Sequence, residues 1–176
     1  MKNTSAKKLI MSVVHPWQPV YDERSKIFIL GTIPSPKSRE YGFYYGHPQN
    51  CFWAVLARSL GAAEPAPDIA SRTAFLLESR VAVWDVLRSC DIAGAADSSI
   101  VNPVANRFAP LLAKTRIDRI FTTGKTATEL FNRHCAEEAG MPATYLPSTS
   151  PANRAAQSKP DFYMKWAQIA CALNEN

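Results

Sequence analysis

Cysteine is scarce in this chain, and its four residues stand far apart. Cys51, Cys90, Cys135 and Cys171 are separated by 36 to 45 residues, and no C-x-x-C pair occurs. Structural zinc sites and ferredoxin-type clusters need closely spaced thiolates. We therefore expect no metal, and we expect reduced, mostly buried thiols.

Long apolar runs are also missing. No stretch approaches the roughly 18 uninterrupted apolar residues of a membrane span. The polar start MKNTSAKK has no apolar core behind it like that of a signal peptide. The sequence thus predicts no association with a membrane, and we expect a cytoplasmic protein.

Glycine is sparse, with 7 residues in 176, and the glycine-rich cofactor motifs are absent. TTGKT looks like the end of a P-loop, but Arg119 occupies the place of the first glycine, five residues before Gly124. No G-x-G-x-x-G follows the first predicted strand, and no G-x-S-x-G occurs. Ser148 or Ser150 would therefore lack an obvious activating histidine and acid as a nucleophile.

What the chain does contain is typical of one globular domain. Its 176 residues are 47% hydrophobic and 20% charged, which predicts a single domain over 1–176, with 1–24 as a peripheral N-terminal segment. The formal net charge of +5 suits a polyanionic partner such as nucleic acid. Charge alone does not decide this, because many basic proteins bind no nucleic acid.

Apolar runs of strand length alternate with helical patterns along the chain. The predicted strands cover 26–31, 81–87 and 119–124, with a short fourth strand from 143, and the polar stretch 88–103 is predicted to be a surface loop. The predicted helices cover 49–61, 69–79, 106–115, 125–140 and 159–173. This order predicts an α/β fold with a central four-stranded, mostly parallel sheet flanked by helices on both faces.

Unusual segments follow each predicted strand, namely TIPSP, WDVL, TTGK and PSTSPANR. Ligands of open α/β sheets bind outside the carboxyl ends of the strands. The four segments are therefore expected to meet in one crevice.

The segment GTIPSPKSREYGFYYGHPQNCFW, at 31–53, is the densest of these regions. Gly31 permits a close backbone approach, and Pro34 and Pro36 stiffen the loop that follows it. A rigid loop can hold backbone N–H groups ready for a developing anion. A proline-stiffened turn without a ligand is the alternative.

Four aromatic residues follow within five positions, Tyr41, Phe43, Tyr44 and Tyr45, without a helical or strand period. One or two of them are expected to line a pocket or to stack on a flat ligand. The alternative is an aromatic cluster beneath a loop.

Asn50 stands at the entrance to the predicted helix, where an amide commonly caps the helix. It could instead aim its carbonyl oxygen at a water molecule in the crevice. His47 has the same two interpretations, a local hydrogen-bonding role or acid–base chemistry.

These residues resemble the first motif region of the uracil-DNA glycosylase superfamily, in particular its hypoxanthine-DNA glycosylase branch. LPSTSPANR, at 146–154, resembles the second motif of that branch, and VWDVL and DSSIVNP resemble its linking segments. The similarity spans roughly 27–154. In the related mismatch-specific enzymes an asparagine at the third motif position holds the attacking water, whereas this chain has Ile33 there.

The resemblance implies a monofunctional hydrolase that flips a deaminated base out of single- or double-stranded DNA and leaves an abasic site. It needs no cofactor, and we expect a monomer. Asn50 is implied as the catalytic residue. The implied base pocket is Gly31, Thr32, Ile33, Pro34, Ser35 and Tyr45, and the implied DNA-binding residues are Ser148, Thr149, Ser150, Asn153 and Arg154.

Two points stay open at this stage. The residue that wedges into the duplex could be Pro151, Asn153 or Arg154, because Ser150 is small for that task. The alternative functions are a mismatch-specific uracil or thymine glycosylase, a non-catalytic nucleic-acid-binding member of the fold, and a hydrolase of small nucleosides.

Overall fold

The computed structural model describes residues 9–175, and within this range the chain forms seven strands and nine α-helices. The strands are β1 (Ile10–Val14), β2 (Ile27–Gly31), β3 (Val81–Asp85), β4 (Leu87–Ala93), β5 (Val101–Ala105), β6 (Arg119–Thr123) and β7 (Ala143–Leu146). The helices are α1 (Pro36–Tyr41), α2 (Phe52–Ser59), α3 (Ile69–Glu78), α4 (Ala109–Leu112), α5 (Lys125–His134), α6 (Ala136–Ala139), α7 (Arg154–Gln157), α8 (Pro160–Trp166) and α9 (Gln168–Asn174).

The central sheet is four-stranded and parallel, in the order β3-β2-β6-β7, which confirms the predicted α/β class. All five residues of β2 are buried, as expected for the central strand of a sheet covered on both faces. The chain adds β3 on one side of β2 and β6 on the other, so the topological switch point lies beside β2. A crevice at the carboxyl ends of the strands is expected there.

Two apolar clusters cover the two faces of this sheet, and β2 contributes alternate residues to them. Ile27 and Ile29 pack in the cluster that includes Phe52 and Trp166 of the helices α2 and α8. Phe28 and Leu30 pack in the opposite cluster, which contains Phe108, Leu130 and Phe131. Successive strand residues point to opposite faces, which explains this division.

A second sheet corrects the predicted loop at 88–103. Here β4 pairs antiparallel with β1 and with β5, in the order β1-β4-β5. Cys90 and Ile92 of β4 are buried. Register shifts interrupt the pairing of β4 with β5, so buried and exposed residues do not alternate regularly along β4. The described part of the segment 1–24, predicted to be peripheral, includes β1 and therefore takes part in a sheet.

The loop after β2 also differs in part from the expectation of an irregular rigid loop. Pro36 begins α1, and the Ser35 side chain caps this helix by accepting a hydrogen bond from the Ser38 N–H. Asp68 caps α3 as predicted, through the Ser71 N–H. In the range 9–175 the longest helices have ten residues, and none is long and apolar enough to cross a bilayer.

Candidate active site

A cavity of about 770 Å³ lies at the carboxyl ends of the central strands. The segments that follow β2, β6 and β7 border it, together with Asp85 at the end of β3 and parts of the second sheet. The four segments that were predicted to meet in one crevice therefore do contribute to a single cavity. The predicted residues that line it are Gly31, Thr32, Ile33, Pro34, Ser35, Tyr45, Asn50, Ser148, Thr149, Ser150 and Asn153.

Gly31 allows two polar side chains to approach the backbone at the end of β2. A Cβ atom at this position would lie 2.3 Å from Asp85 Oδ1 and 3.3 Å from Tyr45 Oη. Any larger residue would displace the carboxylate, so the site needs glycine here. Beyond it, the N–H groups of Thr32, Ile33 and Ser35 donate no hydrogen bond within residues 9–175, and all three residues border the cavity.

Tyr45 is stacked flat on Phe52, with ring centroids 3.6 Å apart and an interplanar angle of 4°. Its hydroxyl lies 3.2 Å from Thr123 Oγ1, and its backbone has a φ of 50°, which is uncommon for a bulky residue. Burial, and then the negative charge of Asp85, raise the pKa of the Tyr45 phenol, which therefore stays protonated. One face of the ring is covered by Phe52, so only the opposite face is available to a ligand.

Asn50 borders the cavity, and its side-chain amide also makes a hydrogen bond within the protein. Its Oδ1 accepts a hydrogen bond from the N–H of Phe52, the first residue of α2, at 3.0 Å. This contact fixes the orientation of the amide, while one lone pair of Oδ1 and the amide N–H₂ group remain available. Nearby, His47 Nδ1 accepts from the Gln49 N–H at 3.0 Å, which is the local role proposed for it.

The second motif loop is stabilised largely by its own side chains. The Ser150 N–H donates to Ser148 Oγ, and Asn153 Nδ2 donates to the Ser148 carbonyl at 2.8 Å. Thr149 is only 1% exposed, and its carbonyl accepts from the Cys51 N–H at the start of α2. The two motif regions are therefore hydrogen-bonded directly to each other.

Arg154 stands apart from the other predicted residues. It is exposed at the first position of α7 and does not border the cavity. An exposed guanidinium beside the site can reach a phosphate of a bound strand but not a base within the pocket. In contrast, Lys125, which the sequence did not single out, is exposed and borders the cavity at the start of α5.

Asp85 and His15 form a buried pair that the sequence interpretation did not use. His15 Nε2 lies 2.8 Å from Asp85 Oδ2, and the side chains are 3% and 7% exposed. Asp85 carried a signal, since it is a charged residue that ends an apolar strand. His15 and Trp17, which borders the cavity, carried none, because their segment has no clear periodicity.

Asp97 is a second carboxylate at the cavity, in the 3₁₀ turn Asp97–Ser99 between β4 and β5. Its Oδ2 accepts a hydrogen bond from the Thr32 hydroxyl at 2.9 Å. Burial is the main cause that raises the pKa of Asp97, the Thr32 hydrogen bond opposes it, and the charge of Asp85 adds to it. The two carboxylates thus give the cavity an acidic inner part.

The described part of the chain contains no group of three or more histidine, cysteine, aspartate or glutamate side chains that could hold a metal ion. All four cysteines are free thiols, and burial is the main cause that raises the pKa of the Cys51, Cys90 and Cys135 thiols. A raised pKa keeps them protonated and poorly nucleophilic at neutral pH.

The fold and the site define the class: a parallel α/β protein with a polar, partly aromatic ligand crevice at the switch point of its sheet. Comparison with known proteins identifies the family. The model of the uracil DNA glycosylase superfamily matches residues 18–170. The chain therefore belongs to the uracil DNA glycosylase superfamily.

Two curated relatives, both named hypoxanthine DNA glycosylase, are similar to this chain over most of its length. The protein from Methanosarcina acetivorans is 34% identical over 140 residues, which cover 77% of this chain and 85% of the relative. The protein from Methanosarcina barkeri is 30% identical over 137 residues, with the same coverage. A solution NMR structure from Methanosarcina acetivorans, assigned to the uracil DNA glycosylases, superposes with a TM-score of 0.76 at 28% identity, over 94% of this chain and 100% of its own.

Proposed function

We propose that the chain is a monofunctional DNA glycosylase of base excision repair that removes deaminated bases, with hypoxanthine in deoxyinosine as the main substrate and uracil as a second. Family membership and the two curated relatives support the glycosylase activity. One structural observation carries the proposal: Asn50, the Thr32–Ser35 segment and the Ser148–Asn153 loop all border one cavity.

Base binding starts the proposed reaction. The target nucleotide leaves the duplex stack, at a lower cost for a mispaired base, and its base enters the cavity. The open face of Tyr45 stacks on the base. The N–H groups of Thr32, Ile33 and Ser35 donate to its carbonyl edge and stabilise the negative charge that develops on the base as the C1′–N bond lengthens.

Hydrolysis then uses a water molecule positioned by Asn50. Because its Oδ1 is already held by the Phe52 N–H, the amide is preorganised beside the sugar and can direct water to C1′. Ser148 and the loop around it contact the neighbouring phosphate through hydroxyl and backbone donors. The products are the free base and an abasic site, and no bond to the enzyme forms.

Labelled duplexes carrying deoxyinosine, uracil opposite guanine or thymine opposite guanine test this function. After incubation with the full chain, alkali cleaves any abasic site, and we expect strand cleavage of the deoxyinosine duplex above all. Cleavage of none of them would refute the glycosylase function, and binding without cleavage would support a non-catalytic member of the fold. Cleavage only at the mismatched uracil or thymine would support the mismatch-specific alternative.

Monofunctional chemistry has its own test, because Lys125 lies at the cavity edge. An attacking lysine would form an imine with the abasic sugar, and borohydride would reduce this imine to a stable protein–DNA adduct. We expect no such adduct on denaturing gels. An adduct that disappears in Lys125→Ala would show that the enzyme also forms a covalent intermediate.

A further inference from the structure

Each of the two sheets has two outer strands, and three of these four edges are protected against the addition of another strand. Val20, in the segment before β2, closes the edge of β3 through two hydrogen bonds with Val83. The strand β7 has only four residues and lies between Pro142 and Pro147. The strand β5 contains Pro103, and register shifts interrupt its pairing with β4. Covering loops, short strands, prolines and irregular pairing are the devices by which proteins prevent unwanted strand pairing.

The fourth edge, β1, has none of these devices. Its five residues, IMSVV, include no proline and no charge, and all of them pair with β4 in a regular register. Val13 is buried, whereas Ile10, Met11 and Val14 are 56%, 59% and 68% exposed. Of the eight large apolar residues that are exposed within residues 9–175, six lie on this sheet or directly before it. A regular, apolar and uncharged edge is a template for another strand.

The orientation of the β1 backbone leaves one side of the strand open. The His15 N–H donates to the Arg88 carbonyl at 2.8 Å, which continues the register of β1 with β4. In an antiparallel pair, alternate residues direct both their N–H and their C=O groups at the partner strand. The odd-numbered residues of β1 therefore bond to β4, and the even-numbered ones present these groups to the open side. These are Ile10, Ser12 and Val14.

The pattern of β1 fits a second copy of the same strand. Antiparallel pairing about a two-fold axis at Ser12 places Ile10 of one copy opposite Val14 of the other. Pairs of β-branched residues on one face stabilise such a contact, and this register forms about six backbone hydrogen bonds. Two copies that each carry a net charge of +5 repel each other, but this strand brings no charged side chain against its own copy.

We propose that β1 pairs with β1 of a second copy, which joins the two three-stranded sheets into one six-stranded sheet and makes the protein a two-fold symmetric dimer. Such pairing uses the open edge of both copies, so the assembly closes at two chains. Five residues on each side bury less than the roughly 1,200 Å² of a stable interface, so we expect a reversible dimer that forms at about 10–100 µM chain. This replaces the monomer expected from the sequence.

The dimer is independent of the proposed glycosylase function, because no residue of β1 borders the cavity. Sedimentation velocity of the full chain without DNA, from about 5 to 500 µM, tests it on both sides of the expected dissociation constant. We expect the weight-average mass to rise from that of one chain towards that of two. A mass that stays at one chain throughout, or that rises beyond two chains, would overturn the proposal.

Ser12→Pro is the most direct variant, because the Ser12 N–H faces the open side. Proline removes this N–H and places its ring there, while the hydrogen bonds between β1 and β4 are kept. We expect dimerisation to weaken at least about 10-fold, as for the loss of central hydrogen bonds. The matched control is Ser12→Thr, which keeps the N–H, favours a strand and should dimerise at least as well as wild type. Equal association of Ser12→Pro and wild type would contradict the pairing.

Val104→Lys separates edge pairing from packing of the outer sheet faces. Val104 lies in the same row as Val14 but on β5, two strands away from the open edge, and is 49% exposed. Edge pairing should leave its dimerisation within about 3-fold of wild type, since one rim residue contributes little. Loss of association in Val104→Lys with retention in Ser12→Pro would show that the faces pack instead, and would overturn the proposal.

Thermal unfolding checks that each variant is folded. Should Ser12→Pro fail to fold, Ser12→Lys takes its place, because it keeps the N–H but sets two like charges opposite each other at the two-fold axis. We expect a similar loss of association in this variant, relieved in part by high salt. Association equal to that of wild type at low salt would contradict the proposed register.

Discussion

Asn50 is hydrogen-bonded within the protein and also borders the cavity, so its structural role and its proposed chemical role are hard to separate. The sequence left open whether its amide caps α2 or faces the crevice. In the structure it does both, since Oδ1 accepts from the Phe52 N–H and the residue borders the cavity. An amide fixed in this way is better preorganised for a water molecule than a free one.

Asn50→Ala is expected to lower the single-turnover rate of base release by about 100-fold, because the water loses its position. It should also destabilise the protein by about 1 kcal/mol through the weakened start of α2. Quenched single-turnover assays on a deoxyinosine duplex measure the rate, and thermal unfolding measures the stability.

Asn50→Ser separates these effects, because serine also accepts from a helix N-terminal N–H but carries no amide. We expect stability to recover while the rate stays low. Recovery of the rate together with stability would show that Asn50 acts only on the helix. The neighbouring exposed residue gives a matched control, since Gln49→Ala should leave both quantities unchanged.

At the scale of elements, strands of the central sheet were predictable and those of the second sheet were not. The five residues of β2 are all buried, so their sequence is a continuous apolar run bounded by glycine. In β4 buried and exposed residues follow an irregular order, and β5 is exposed for most of its length. Tertiary pairing rather than local pattern holds these strands.

The same distinction explains which of the cavity-lining residues could be predicted from the sequence. Those in the two motif loops follow clear strands and carry recognisable proline, glycine and asparagine patterns. His15, by contrast, reaches Asp85, which borders the cavity, because β1 pairs with β4, and nothing near His15 in the sequence indicates that pairing. A contact between residues 70 positions apart needs the fold before it can be inferred.

The second motif loop offers a prediction at this scale, because its residues divide into those that order it and those that reach outward. Asn153 Nδ2 holds the Ser148 carbonyl, whereas the Arg154 side chain is exposed. Arg154→Ala should weaken DNA binding and reduce the slope of log K against log salt by about 0.9, as for one lost phosphate contact.

Asn153→Ala should weaken binding by disordering the loop, about 3- to 10-fold for one hydrogen bond, without changing the salt slope. Fluorescence anisotropy over a salt series measures both variants. A reduced slope in Asn153→Ala would mean that its side chain contacts phosphate, and an unchanged slope in Arg154→Ala would remove Arg154 from the DNA contacts.

For the whole molecule, the crevice lies where the two sheets meet. His15, just after β1, pairs with Asp85 of the central sheet, and the Thr32 hydroxyl after β2 donates to Asp97 in the turn between β4 and β5. The net charge of +5 draws DNA to the protein, while the cavity itself carries two carboxylates.

The free-energy cost of burying the charged Asp97 carboxylate predicts how the stability of the protein depends on pH. Because burial raises the pKa of Asp97 in the folded state, its ionisation opposes folding. The stabilising contribution of the protonated form is complete below the ordinary value of 3.8 and is lost as pH rises through the raised pKa.

Asp97→Asn keeps an oxygen for the Thr32 hydroxyl but does not ionise. The melting temperature of this variant, minus that of wild type, should therefore become more positive between about pH 4 and pH 7. Calorimetry over this range checks the expectation, with Asp118→Asn as an exposed control whose difference should stay flat. A difference for Asp97→Asn that is constant or falls with pH would show that the Thr32 hydrogen bond outweighs burial at this junction of the sheets.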